Sequence, residues 1–157
     1  MQTQQYIEIL QIESIEQLEE LAKHIADELQ PPTVVCLKGD LGVGKTTFAG
    51  FIINHLSSPI EQEVTSPTFN IAHTYDTNKG TIWHFDLYRI QSYEELEELG
   101  VEDAVTQLAI IEWPEIALPM FLGMHMIDIR MTFSGCGAPH REVVISRIQA
   151  LEKVEVL

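Results

Sequence analysis

Eight consecutive residues constrain this chain more than any other feature. Gly39-Asp40-Leu41-Gly42-Val43-Gly44-Lys45-Thr46 fits the pattern of glycine, four free positions, glycine, lysine and a hydroxyl residue at every fixed position. Average residue frequencies produce that pattern in roughly 1% or fewer of chains this long, so the match carries weight. Its surroundings agree. Thr33 to Leu37 (TVVCL) is short and β-branched, as in a strand buried on both faces, and Thr46 to Leu56 reads as a largely buried helix. A glycine-rich turn between strand and helix wraps a phosphate without Cβ clashes, while successive N–H groups at the helix N-terminus point at the anion. Lys45 adds a positive charge for the β- and γ-phosphates, and the Thr46 hydroxyl is placed to ligate Mg²⁺.

Charge shapes what else this loop can be part of. Nine Lys and Arg oppose 24 Asp and Glu, a formal net charge of −15 over 157 residues. Such a field repels nucleic-acid backbones, so a broad autonomous DNA- or RNA-binding surface is not expected. A phosphate ligand has to be held by a local device, and any nucleic-acid role runs through a more basic partner. With 45% apolar residues and no low-complexity tract, the chain reads as one globular domain over 1–157 rather than a disordered or fibrous one. No apolar run approaches a membrane span and Met1 to Leu10 lacks a signal-peptide layout, which points to the cytoplasm and to no membrane partner. Cys36 and Cys136 read as free thiols.

The remaining pattern alternates strands and helices. Gln5 to Leu10 reads as a strand, and Ser14 with Gln17 forms a capping box for a helix ended by Pro31-Pro32. Phe69, Ile71, His73 and Tyr75 alternate as in a strand, joined through Asp76–Gly80 to a second at Ile82 to Phe85. Ser92 with Glu95 caps a short acidic helix, Tyr93 to Leu99, with Gly100 at its end. Leu108 to Ile111 reads as a central parallel strand, and His125–Phe133 with Glu142–Ile148 as a hairpin about the Ser134–Gly137 turn. The sum is an α/β domain with a partly parallel sheet and antiparallel additions.

A phosphate-binding loop of this kind works with an acid at the tip of a neighbouring strand. Glu112 ends the 108–111 strand and Asp86 ends the 82–85 strand, so both carboxylates emerge at the carboxyl edge of the sheet. Thr65-Ser66-Pro67-Thr68 lies where switch proteins place a hydroxyl that senses the γ-phosphate. Trp113 either covers the ligand or caps the core. His84 reads as a core or rim histidine before it reads as a metal ligand, and Arg89 faces either phosphate or a partner. Glu94, Glu95, Glu97 and Glu98 read as a solvated helix face, with partner docking as the alternative.

Taken together, GDLGVGKTT at 39–47, TSPTF at 65–69, HFDLYR at 84–89, EELEELG at 94–100 and IEWPE at 111–115 resemble the bacterial TsaE proteins, formerly YjeE, in order and spacing. The resemblance runs from about residue 5 to 148. It implies a P-loop NTPase-like three-layer α/β sandwich, with a parallel core and antiparallel additions to the sheet. It also implies a small ATPase, slow alone, that works with TsaB and TsaD in threonylcarbamoyl modification of the adenosine next to the tRNA anticodon. Contact with tRNA would be indirect, through that complex. By position, the resemblance assigns ATP/ADP binding to Gly39, Asp40, Leu41, Gly42, Val43, Gly44, Lys45, Thr46 and Thr47, with Ser66 and Trp113. Mg²⁺ falls to Thr46, Glu112 and Asp86, and catalysis to Lys45, Asp86 and Glu112. Ile12 and Phe133 are the candidates beside adenine.

Three other functions fit parts of the pattern. A small-molecule kinase would want an arginine-rich lid, against which stand only four scattered arginines. A GTPase would read its base with N-K-x-D, which Asn78-Lys79 begins, but Thr81 stands where Asp is required. A nucleotide-binding adaptor without turnover is the third.

Overall fold

The computed structural model describes residues 4–135 and 139–150; Cys136 and the rest of the expected turn at 136–137 lie outside the described residues. In chain order the elements are β1 (Gln4–Ile12), α1 (Ile15–Glu28), β2 (Thr33–Lys38), α2 (Lys45–Ser57), β3 (Ala72–Thr77) and β4 (Gly80–Asp86). There follow α3 (Tyr93–Glu98), α4 (Val101–Ala104), β5 (Leu108–Glu112), a 3₁₀ segment (Pro114–Phe121), β6 (Met126–Phe133) and β7 (Arg141–Gln149).

Local chemistry sets the ends of these elements. The Ser14 side chain accepts from Gln17 N at 3.2 Å, and the Gln17 side chain reaches back to Glu13 N at 2.8 Å. This satisfies two donors at the start of α1. The Ser92 hydroxyl caps α3 by accepting from Glu95 N at 3.2 Å, and Gly100 turns the chain with φ +71°. Helix α1 has no basic residue in its last turn. Its end is capped from a distance: Lys79, in the β3–β4 turn, donates to the carbonyls of Ala26, Asp27 and Leu29 at 3.1, 2.9 and 2.7 Å. Its neighbour Asn78 meets the end of α2 instead, its N–H donating to Leu56 O at 2.9 Å and its side-chain amide to Ser58 O at 3.0 Å.

All seven strands join one sheet in the order β1-β7-β6-β2-β5-β4-β3. Pairings β6–β2, β2–β5 and β5–β4 are parallel, whereas β3–β4, β6–β7 and β7–β1 are antiparallel. The parallel centre with antiparallel edges agrees with the sequence pattern, including Leu108–Ile111 in the middle. One expectation fails. The alternation from Phe69 does not start a strand there: β3 begins at Ala72, Phe69 is 82% exposed and Ile71 has φ +68°. A left-handed, β-branched residue cannot continue a pleat, so Phe69 to Ile71 form a turn instead.

Side chains of the central strands divide by parity between two cores. Val35, Leu37, Ile82, Leu108 and Ile110 pack with Leu18, Ile25, Phe48 and Ile52 of α1 and α2. Val34, Cys36, Phe85, Ala109 and Ile111 pack with Leu96 of α3, Val101 of α4 and Phe121. Cys36 is wholly buried, which pushes its thiol well above the ordinary range. The layering is a helix–sheet–helix sandwich, and the parity rule puts His84 and Asp86 with Ile82, and Glu112 with Ile110, on the α2 side.

Ile52→Ala opens a cavity in the α2 core and should cost about 2–5 kcal/mol in urea unfolding. Ile9→Ala, at a side chain 63% exposed on the edge strand, should stay within about 0.5 kcal/mol.

Candidate functional site

The loop between β2 and α2 turns at three glycines, and at Gly39 the space admits no side chain. Gly39 has φ +143°, and a Cβ there would run into the Met131 carbonyl oxygen on β6 and come within 2.9 Å of Val43 Cγ1. Gly42 and Gly44 also have positive φ, and Gly44 immediately precedes α2. This turns the loop into a concavity over the helix N-terminus, where the helix dipole and free N–H groups favour an anion. Lys45 Nζ donates to the carbonyls of Gly39 and Asp40 at 2.6 and 2.9 Å, bracing the loop from within. Its side chain is 5% exposed, and burial pulls the ammonium below its ordinary pKa, against the opposing pull of Glu112, Asp86 and Asp40.

Asp86 and Glu112 lie directly opposite each other in the β4–β5 register, on the same face, and are 5% and 3% exposed. Each is tied to different donors. Glu112 accepts from the Thr46 hydroxyl at 2.8 and 3.1 Å through its two oxygens, and its Oε1 lies 2.8 Å from His84 Nε2. Asp86 Oδ2 accepts from the Ser66 and Thr68 hydroxyls, both at 2.8 Å, and Oδ1 from Tyr88 N at 3.0 Å. The Ile71 carbonyl also accepts from Asp86 N at 3.0 Å. The 66–71 turn is therefore held at the strand tip by one carboxylate and its own backbone amide.

Trp113 completes the wall. It adopts φ +55°, which costs a non-glycine residue on the order of 1 kcal/mol, and its N–H donates to Leu37 O at 3.2 Å. This conformation sends the indole back over Lys45, whose Nζ is 4.3 Å from the ring centre, while Tyr88 packs on it at 4.9 Å. Leu41, Gly42, Gly44, Lys45, Thr46, Thr47, Ser66, Asp86, Glu112 and Trp113 enclose a cavity of about 310 Å³. Among the described residues lining it, Lys45 is the single basic one.

Ile12 and Phe133 do not line that cavity. Ile12 is buried in the same core cluster as Val43, and Phe133 is 45% exposed. They flank Arg141, which pairs in register with both. The Arg141 guanidinium lies 5.5 Å from the Phe133 ring and its Nε donates to Val43 O at 2.5 Å. Arg141 thus braces the loop from β7, a role legible in sequence only as the position opposite Phe133 across the hairpin. Thr68, two residues beyond Ser66 in the segment that the sequence marks for its hydroxyls, shares the same carboxylate oxygen. Arg89 turns away, its guanidinium 4.6 Å from the exposed Phe69 ring. Glu94, Glu95, Glu97 and Glu98 are all exposed, as a solvated face requires.

A parallel-centred sheet flanked by helices on both faces, with a glycine loop feeding α2 and two acids at adjoining strand tips, defines a P-loop NTPase-like fold. Among solved structures, Bacillus subtilis YdiB has a similar fold, with a TM-score of 0.66 over 94% of this chain and 88% of that one, at 23% identity. The family model described as "Threonylcarbamoyl adenosine biosynthesis protein TsaE" matches residues 12–142, and the chain belongs to the TsaE family. Among relatives carrying the name tRNA threonylcarbamoyladenosine biosynthesis protein TsaE, that of Rickettsia felis is 48% identical over 102 residues, 64% of this chain. That match spans only 59% of the Rickettsia protein's length. The Aquifex aeolicus protein is 38% identical over 119 residues, covering 74% of this chain and 86% of its own.

Gly39→Ala should destabilise the fold by about 1–3 kcal/mol in denaturant unfolding, because the added methyl meets backbone rather than a movable side chain. An unfolding midpoint equal to that of the unaltered protein would mean that the loop is not held against β6.

Proposed function

We propose that this chain is a Mg²⁺-dependent ATPase that acts in threonylcarbamoyl modification of tRNA. The observation that carries the reading is the convergence of Lys45, Thr46, Ser66, Asp86, Glu112 and Trp113 around one cavity at the mouth of the glycine loop. The family supports the pathway, and the names of the Rickettsia and Aquifex relatives state it for those proteins.

The residues present suit a phosphate-bound Mg²⁺. That ion takes one or two protein oxygens and fills its remaining positions with phosphate and water, so it needs no cage of carboxylates. Among the described residues no such cage exists. The Thr46 hydroxyl and Glu112 would hold it, with Asp86 close by; when bound, Mg²⁺ neutralises charge building on the phosphates. Lys45 binds the phosphate tail, and the loop amides orient it. The Ser66 hydroxyl lines the cavity and shares Asp86 Oδ2 with Thr68, so Asp86 would couple the 66–71 turn to the state of the nucleotide. Trp113 shields the phosphates from water. Arg141, with the half-exposed Phe133 beside it, would offer a flat cationic and aromatic edge for the base.

What the cavity lacks is an arginine to stabilise transferring charge, a large term in P-loop catalysis. With a net charge of −15, the chain is poorly suited to capture tRNA itself. Both facts favour a protein partner that completes the site, with TsaB and TsaD as the partners the family resemblance implies.

Lys45→Ala should abolish ADP binding in calorimetry while the protein remains folded by circular dichroism. Persistent binding would place the nucleotide elsewhere. Fluorescence titration with ADP should show a saturable change that Trp113→Phe removes and Trp83→Phe keeps, since Trp83 stacks on Phe85 in the opposite core. A steady-state ATPase assay should give slow turnover by the chain alone and acceleration by a TsaB–TsaD pair. Full stimulation by tRNA without protein would overturn the partner-dependent reading.

A further inference from the structure

His84 is buried to 0% exposure in the middle of the sheet, yet it is not a packing residue in the ordinary sense. It occupies β4 two residues before Asp86, on the same face, opposite Ile110 of β5 and one alternate position back from Glu112. Its Nε2 reaches Glu112 Oε1 at 2.8 Å, while its Nδ1 is buried with no hydrogen-bond partner. An ionised carboxylate only accepts, so a bond between these atoms requires the proton on Nε2. The unpartnered Nδ1 agrees: a proton there would be a buried donor with nothing to receive it.

Glu112 is 3% exposed, so its orientation depends on protein donors rather than water. It has two side-chain donors in the structure: His84 from within the sheet, and the Thr46 hydroxyl from the start of α2. Thr46 approaches both oxygens, at 2.8 and 3.1 Å, and so does not by itself fix which oxygen faces the cavity. His84 contacts Oε1 alone. We propose that His84 is a positioning residue: its Nε2–H pins Glu112 Oε1, leaving Oε2 and the Thr46 hydroxyl aimed together at the metal position. The proposal rests on the nucleotide reading of this site and assigns the outer partner that orients its acid. Groups that orient a metal-holding side chain commonly change metal affinity by about 10–100-fold when removed.

The test uses the full chain with two substitutions. His84→Leu keeps an apolar body and deletes the donor; His84→Gln retains an N–H donor at a comparable reach. Nitrogen-15 imidazole spectra of the nucleotide-free protein should show the His84 proton on Nε2, with its signal shifted in Glu112→Gln. ADP titrations by calorimetry, with Mg²⁺ and with EDTA, then separate metal from phosphate binding. In His84→Leu the Mg²⁺-dependent gain in ADP affinity should fall by about tenfold or more. Affinity in EDTA should stay within about twofold of the unaltered protein, because the loop amides and Lys45 are untouched. His84→Gln should recover most of the loss.

A proton on Nδ1 with none on Nε2 overturns the proposal, as does an unchanged Mg²⁺ effect in His84→Leu. Equal losses with Mg²⁺ and EDTA, or His84→Gln as impaired as His84→Leu, would mean that His84 only fills space, and also overturn it. If the unaltered protein binds no ADP under either condition, the nucleotide reading fails instead. The imidazole spectra, which need no ligand, would still decide whether His84 holds Glu112.

Discussion

Two carboxylates stand side by side inside this protein, and much of its architecture answers their repulsion. Asp86 and Glu112 are register partners on adjacent parallel strands, both nearly excluded from water. Strands in a sheet lie about 4.8 Å apart, and two charges at roughly that separation repel by on the order of 3 kcal/mol at an effective dielectric near 20. The structure meets this cost by giving the acids separate sets of donors. Glu112 takes Thr46 and His84; Asp86 takes Ser66, Thr68 and the Tyr88 amide. Lys45 sits within the field of both. A cation arriving with a phosphate would enter a site whose negative charge is already assembled and oriented.

The same division ties the two acids to different parts of the fold. Glu112 is tied to α2 and the interior of the sheet, so it is held by the most deeply packed elements. Asp86 is tied to the 66–71 turn, whose Phe69 projects into solvent. Two residues adopt left-handed conformations: Trp113, which lines the cavity, and Ile71, whose carbonyl accepts from the backbone amide of Asp86. Such conformations persist where surrounding contacts over-determine them, and they gather at ligand clamps. Here Ile71 is held by hydrogen bonds to Pro67 and Asp86, and Trp113 by Leu37 and by the Lys45 ammonium beneath its ring.

The long-range polar contacts serve the same frame. Lys79 closes α1 from the β3–β4 turn, and Arg147 joins Glu28 of α1 to Glu8 of β1 across β7. Arg141 runs from β7 to the Val43 carbonyl. In a chain with few cations, these three are spent on bracing helices and loop. Among the described residues lining the cavity, this leaves Lys45 as the one cation.

The strand and helix positions, the parallel centre and the phosphate loop were legible from residue pattern. They depend on local rules: parity along strands, helical spacing, hydroxyl caps and the φ > 0 that glycine permits. Glu112 and Asp86 could be placed at strand tips for the same reason, since a buried apolar run ending in an acid has one edge at which to emerge. Local rules failed at Phe69–Ile71, where alternation suggested a pleat but the pull of Asp86 on the turn prevailed. They do not mark Arg141, and they do not say which carboxylate Thr68 or His84 meets. Each owes its role to a neighbour distant in sequence: Val43 for Arg141, Asp86 for Thr68, and Glu112 for His84. The sequence alone determined which groups reach the carboxyl edge of the sheet. Only tertiary structure decided which donor meets which carboxylate, because that pairing follows from strand order and register, set by packing across the whole sheet.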